Sequence, residues 1–138
     1  MAEVRVIKPG DRDASTAQTP GMHREEACGA KTVGAEHLWV GHVHVGEGVR
    51  SGPHHHGELE SVIYVISGNA RFRFGDKLEH TIEAEPGDFV FVPPYLVHQE
   101  INASADEPVD MVVARSSQEN IVVNAGRKTY SSFYLTHQ

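Results

Sequence analysis

Three successive histidines, His54-His55-His56, followed by Gly57-Glu58-Leu59-Glu60, form the densest run of chemistry-bearing side chains in the sequence. In an extended strand successive side chains alternate between faces, so His54, His56, Glu58 and Glu60 share one face while His55 and Leu59 share the other. Two imidazoles and a carboxylate pointing one way make a partial shell for a divalent first-row metal. Histidine runs also occur in solvated turns, here beside Pro53, so the metal reading needs a further donor. One follows downstream. Gly87-Asp88-Phe89-Val90-Phe91-Val92-Pro93-Pro94-Tyr95-Leu96-Val97-His98 reads as a turn, a buried strand, a second turn and a histidine opening another alternating strand, His98 to Asn102.

Over roughly residues 40 to 115 these features resemble the cupin superfamily, and a small single-domain member of it. The first motif of that family, G-x5-H-x-H-x(3,4)-E-x6-G, is filled by Gly48, His54, His56, Glu60 and Gly68, with one departure. Seven residues separate Glu60 from Gly68, so that Ser61 stands where a four-residue spacer would place the acid. The second motif, G-x5-P-x-G-x2-H-x3-N, is matched by Gly87, Pro93, His98 and Asn102, with Tyr95 in place of the usual glycine. The resemblance implies one metal held by His54, His56, Glu60 and His98. Glu58 lies on the same face by parity, but only one residue separates it from His56, outside the family spacer, and Glu60 is preferred.

Three imidazoles and one carboxylate would leave about two positions open on an octahedral ion, which favours manganese, iron or nickel over a closed structural zinc site. An open site of this kind can take a small molecule with adjacent oxygens. The resemblance therefore implies a metal-dependent enzyme of dioxygenase or decarboxylase type acting on a small oxygenated metabolite. A non-catalytic metal-assisted binding or sensor barrel is the alternative, and a sugar isomerase a further one. Catalytic groups are not assigned by any motif. Glu100, which shares a strand face with His98, is a candidate for acting beside the metal, as are Tyr64 and His42.

The elements that must position these residues are strands. Leu38, Val40, His42 and His44 alternate with Trp39, Gly41, Val43 and Val45, and which face lines the interior is open at this level. Ser61 to Ser67 is β-branched and aromatic and ends in Ser67-Gly68-Asn69 turn chemistry. Ala70 to Phe74 alternates arginine with phenylalanine, and because two phenylalanines make the better core, Arg71 and Arg73 are expected outside. His80 to Ala84, Phe89 to Val92, Asp110 to Arg115 and Ile121 to Val123 supply further strands. Many short strands divided by Gly, Pro, Asn and Asp turns, with no convincing amphipathic helix, indicate an all-β jelly-roll barrel. The family resemblance names it as the cupin double-stranded β-helix.

A barrel over residues 36–125 is expected, preceded by an arm, 1–35, and followed by a tail, 126–138, carrying Phe133 and Tyr134. Within the arm, Val4 to Ile7 reads as a short strand, Asp11 to Thr19 as loop, and Met22 to Lys31 as one helical turn or an extended segment across the barrel. His23 reads as solvated. With 138 residues and a formal net charge of −7, the chain is long enough for one core and offers nothing to attract a polyanion, so nucleic acid is not expected as a partner. The single cysteine, Cys28, excludes an internal disulfide framework and fits a reducing compartment. No stretch has the length of a membrane span or a signal-peptide core, and a cytoplasmic location is expected. Small cupins often pair by trading edge strands, and a homodimer is expected here, because an open sheet edge needs cover.

Overall fold

The computed structural model describes residues 2–118 and 121–125, and the tail at 126–138 lies outside them. Among the described residues ten strands form two five-stranded sheets, all of whose pairings are antiparallel. The first sheet has the order β1-β2-β9-β4-β7, from β1 (Met22–Cys28), β2 (Trp39–Val45), β9 (Val109–Arg115), β4 (Ser61–Ser67) and β7 (Phe89–Val92). The second has the order β10-β3-β8-β5-β6, from β10 (Val123–Asn124), β3 (His54–His55), β8 (His98–Ile101), β5 (Ala70–Phe74) and β6 (His80–Ala84). This is the expected jelly-roll, with the side chains of both inner faces meeting between the sheets.

The arm contributes more than its composition suggests. Met22–Cys28 is a full strand pairing with β2, followed by the single turn α1 (Ala30–Val33). Val4 to Ile7 forms no strand. Cys28 is free and half-buried. Among the described residues no helix is long and apolar enough to cross a membrane.

Alternation settles which faces turn inward. On β2, Trp39, Gly41, Val43 and Val45 are buried, and His42 and His44 face outward to Asp110. On β5, Ala70 and Phe72 are buried while Arg71 and Arg73 are not. The apolar run Phe89 to Val92 is only half inward. Val90 and Val92 are buried, whereas Phe89 is 72% exposed, because its side chain points to the outer face of β7, an edge strand of the described sheet.

Along the interior the chemistry changes from one end to the other. Met22, Val43, Val45, Ile63, Val65, Phe72, Val109 and Met111 fill one end as a dry core, each large member contributing about 1.5–3 kcal/mol of hydrophobic stabilisation. Continuing along the same strands, Met22 gives way to Arg24 and Glu26, Val109 and Met111 to Arg115, and Val65 and Ile63 to Ser61. Register places Trp39, Arg115, Ser61 and Val92 in one transverse row across four strands of the first sheet. In the second sheet the facing row is Phe74, His98 and His54.

Candidate metal centre

His54 on β3 and His98 on β8 are direct cross-strand partners, and their rings lie 4.4 Å apart. The chain leaves β3 after His55 and turns at Gly57, whose φ of 61° is in the region glycine adopts at little cost. That turn carries His56 over the other two rings, 4.8 Å from His54 and 5.1 Å from His98. One ring nitrogen from each of the three lies within 4.8 Å of the others.

Each imidazole is oriented by a backbone carbonyl: Nδ1 of His54 lies 2.7 Å from the Gly52 oxygen, Nδ1 of His56 2.9 Å from Ile121, and Nδ1 of His98 3.0 Å from Leu96. A carbonyl only accepts, so Nδ1 carries the hydrogen in all three and Nε2 presents a lone pair. Nε2 of His54 is buried with no hydrogen-bond partner among the described residues, a costly arrangement unless something electron-poor meets it. Burial, followed by the neighbouring charge of His98, pushes His54 down to about 3. Burial, followed by His54 and His98, does the same to His56. These rings are therefore neutral at pH 7, as metal ligation requires. Three converging imidazoles tethered through their far nitrogens fit a divalent transition metal.

Glu60 does not join them among the described residues. It is exposed, and its backbone N–H donates to Ser116 Oγ at 3.1 Å. Strand parity fails between His56 and Glu60 because β3 ends at His55 and the chain turns, with Leu59 N–H bonded to the His56 carbonyl. Alternation restarts at β4, where Ser61, Ile63 and Val65 point inward, leaving Glu60 on the solvent side and Ser61 lining the chamber. Glu58 is exposed too. Counting back from Gly68 rather than forward from His56 would have found this.

The acid that does face the chamber is Glu100. It follows His98 on the inner face of β8, with Oε1 3.9 Å from His98 Nε2 and its side chain 13% exposed. Tyr64 lies on the outer face of β4, its ring 4.7 Å from that of Phe89. His42 lies outside as well, Nε2 3.2 Å from Asp110 Oδ1. Neither lines the chamber.

Two arginines escaped the sequence reading. Arg24 enters from β1 and Arg115 from β9, both lining the chamber with the three histidines and Glu100. The Arg115 guanidinium stacks 3.9 Å above the Trp39 ring, whose Nε1–H donates to Glu26 Oε1 at 2.9 Å. A Cβ at Gly41 would overlap the Trp39 indole, so glycine there lets the ring lie flat against its own strand. Burial first, then Arg24, holds Arg115 down to about 10, with Glu26 opposing. Burial also lowers Arg24, and Glu100 pulls it back. The inward alternation Val109, Met111, Val113 extends to Arg115 and was a legible signal; the strongly polar β1 offered none. Asn102, the last residue of the second motif, has a structural part. Its Nδ2 lies within hydrogen-bond reach of the Val45, Gly46 and Glu107 carbonyls, tying β2 to the loop before β9.

The fold resembles several solved structures. The polyketide cyclase RemF from Streptomyces resistomycificus superposes over 99% of both chains with a TM-score of 0.75 at 17% identity. KdgF from Halomonas sp. matches over 73% of this chain and 84% of its own with a TM-score of 0.61 at 19% identity. Oxalate decarboxylase from Bacillus subtilis matches over 80% of this chain but only 29% of its own, with a TM-score of 0.67 at 21% identity. No curated protein matches by sequence. The cupin domain family matches residues 41–115, a span that includes all three histidines, Ser61 and Glu100. The chain belongs to the cupin domain family.

Proposed function

We propose that this cupin is a metal-dependent enzyme acting on a small oxygenated anion, a carboxylate or an enolisable carbonyl compound, by decarboxylase-type or dioxygenase-type chemistry. One observation carries the reading: the charge balance of the chamber. An imidazole ligand brings no charge to a divalent ion, and Arg24 and Arg115 are balanced by Glu100 on the chamber wall and by buried Glu26 near Arg115, so the ion's own positive charge would stand as the excess. In a low-dielectric interior such an excess favours an anion.

His54, His56 and His98 would hold the ion, which when bound supplies Lewis-acid polarisation of a coordinated oxygen. Without a carboxylate among the ligands the set suits zinc as well as manganese, iron or nickel. Arg24 and Arg115 orient the anion, and Trp39 keeps water from the Arg115 side of the chamber. Glu100, next to His98 and largely buried, is placed to take or return a proton at the substrate carbon or oxygen nearest the imidazoles. Polyketide cyclase and oxalate decarboxylase, the names of two solved relatives, both denote enzymes of oxygen-rich carbonyl compounds, which supports this substrate class.

The test is elemental analysis of untreated protein, followed by incubation of the loaded protein with 2-oxo acids, small diacids, β-dicarbonyls and diphenols. Carbon dioxide release, oxygen uptake or a new product by NMR is expected. Tight binding without turnover would instead establish a binding or sensor barrel. Pairing of two copies is part of the same proposal, supported by the outer side chains Phe89, Ile66 and Val62, which are exposed among the described residues. A monomer in sedimentation velocity would reject the pairing.

A further inference from the structure

The chamber around the three imidazoles has only about 20 Å³ of free volume. That is room for about one water or ion, not for the body of a metabolite. A second cavity, of about 260 Å³, lies at the open side of the barrel where β6 and β7 are both edge strands. It is lined by Phe72, Phe74, Ile82, Phe91, Leu96 and neighbouring valines and proline, and His98 is the one polar lining residue among the described residues. Val92 and His98 line both cavities.

We infer that this side groove is the binding site for an apolar portion of the substrate, alkyl or aromatic, whose oxygenated anionic head passes Val92 and His98 to reach the imidazoles. The inference rests on the proposed function and narrows its substrate class from small polar acids to molecules with one charged, oxygen-bearing end and one apolar body. Three observations meet here. The chamber is charged but too small, the groove is roomy but has no charged side chain to satisfy a polar ligand, and the same imidazole borders both. Phe74 and His98 are cross-strand partners, which fixes the apolar wall against the metal-facing ring. A diacid as small as two carboxylates would leave the groove unfilled. A sugar would bury hydroxyls against phenylalanine and leucine without partners.

Cobalt(II)-loaded protein titrated with acetohydroxamate and with 2-naphthohydroxamate, two chelators differing only in their apolar body, tests the inference through the visible spectrum of the ion. The naphthyl probe is expected to bind at least about tenfold more tightly, from the ring area removed from water. Ile82→Glu and Phe91→Ser, at positions 43% and 56% exposed and so compatible with folding, should remove that advantage while leaving acetohydroxamate affinity within about twofold. Equal affinity of the two probes for the unaltered protein, or an advantage that survives both substitutions, would overturn the groove. If cobalt does not bind at all, the metal reading fails. The groove is then judged by naphthyl fluorescence in metal-free protein: quenching lost in Ile82→Glu supports it, and quenching unchanged, or no binding, overturns it.

Discussion

His54 and His98 occupy directly opposed positions on β3 and β8, their rings 4.4 Å apart and each ring's Nδ1 tied to a carbonyl two residues before it in the chain. The same local device, used on two strands far apart in sequence, turns both Nε2 atoms toward one point. His56 completes the set from the turn that follows.

Because the rings line a chamber and lie outside the dry core, His54→Ala, His56→Ala and His98→Ala should each fold and lose metal. Affinity should fall by more than the tenfold to hundredfold typical of residues that merely orient ligands. Glu60→Gln, altering an exposed side chain, should bind as the unaltered protein does. Isothermal titration with manganese and zinc checks both, and a full equivalent retained by His98→Ala would contradict the site.

Ser61 points into the chamber from the row that holds Trp39, Arg115 and Val92. Ser61→Glu should supply the carboxylate that the neighbouring Glu60 cannot. Manganese affinity should rise by about tenfold or more relative to zinc, since a hard oxygen donor favours the harder ion. An unchanged preference would show that the new acid pairs with Arg115 instead.

Glu100→Gln should leave metal content intact and lower turnover by about a hundredfold or more, the usual scale for loss of a positioned proton-transfer group. A matching loss of metal would make Glu100 a ligand rather than a base.

The metal-free protein should become less stable as the pH falls. Unfolded imidazoles take up protons near 6.5, whereas His54 and His56 in the folded chain resist them down to about 3. Between those values the unfolded state binds more protons, so acidification favours it, and above about 6.5 the two histidines contribute no slope. Urea melts across pH 7.5 to 5 should show a shallower decline for His54→Gln. Equal slopes would mean that the folded rings protonate normally.

Tyr95 has a φ of 61°, in the left-handed region, and its side chain is 65% exposed. The backbone thus still has the conformation that the family's usual glycine serves. Tyr95→Gly should be more stable than Tyr95→Ala by about 1 kcal/mol, because only the alanine keeps a Cβ in that region. Thermal melts of the two variants measure the difference.

The sequence by itself determined the strands from Trp39 to Arg115, the turns between them and the identity of the three histidines. Alternation with period two and turn chemistry are local properties, written into each segment. Even the departure at Ser61 was visible as one residue too many before Gly68. What tertiary structure alone decided is which residues of distant strands share a row. Ladder register brings Arg115 beside Trp39 and Ser61, and carries Arg24 inward on a strand too polar to read as buried. It also places Phe89 in solvent within an apolar run, because no strand among the described residues covers the outer side of β7. Such pairings follow from how whole sheets pack, and the charge of the chamber, on which the functional reading depends, exists only after they have formed.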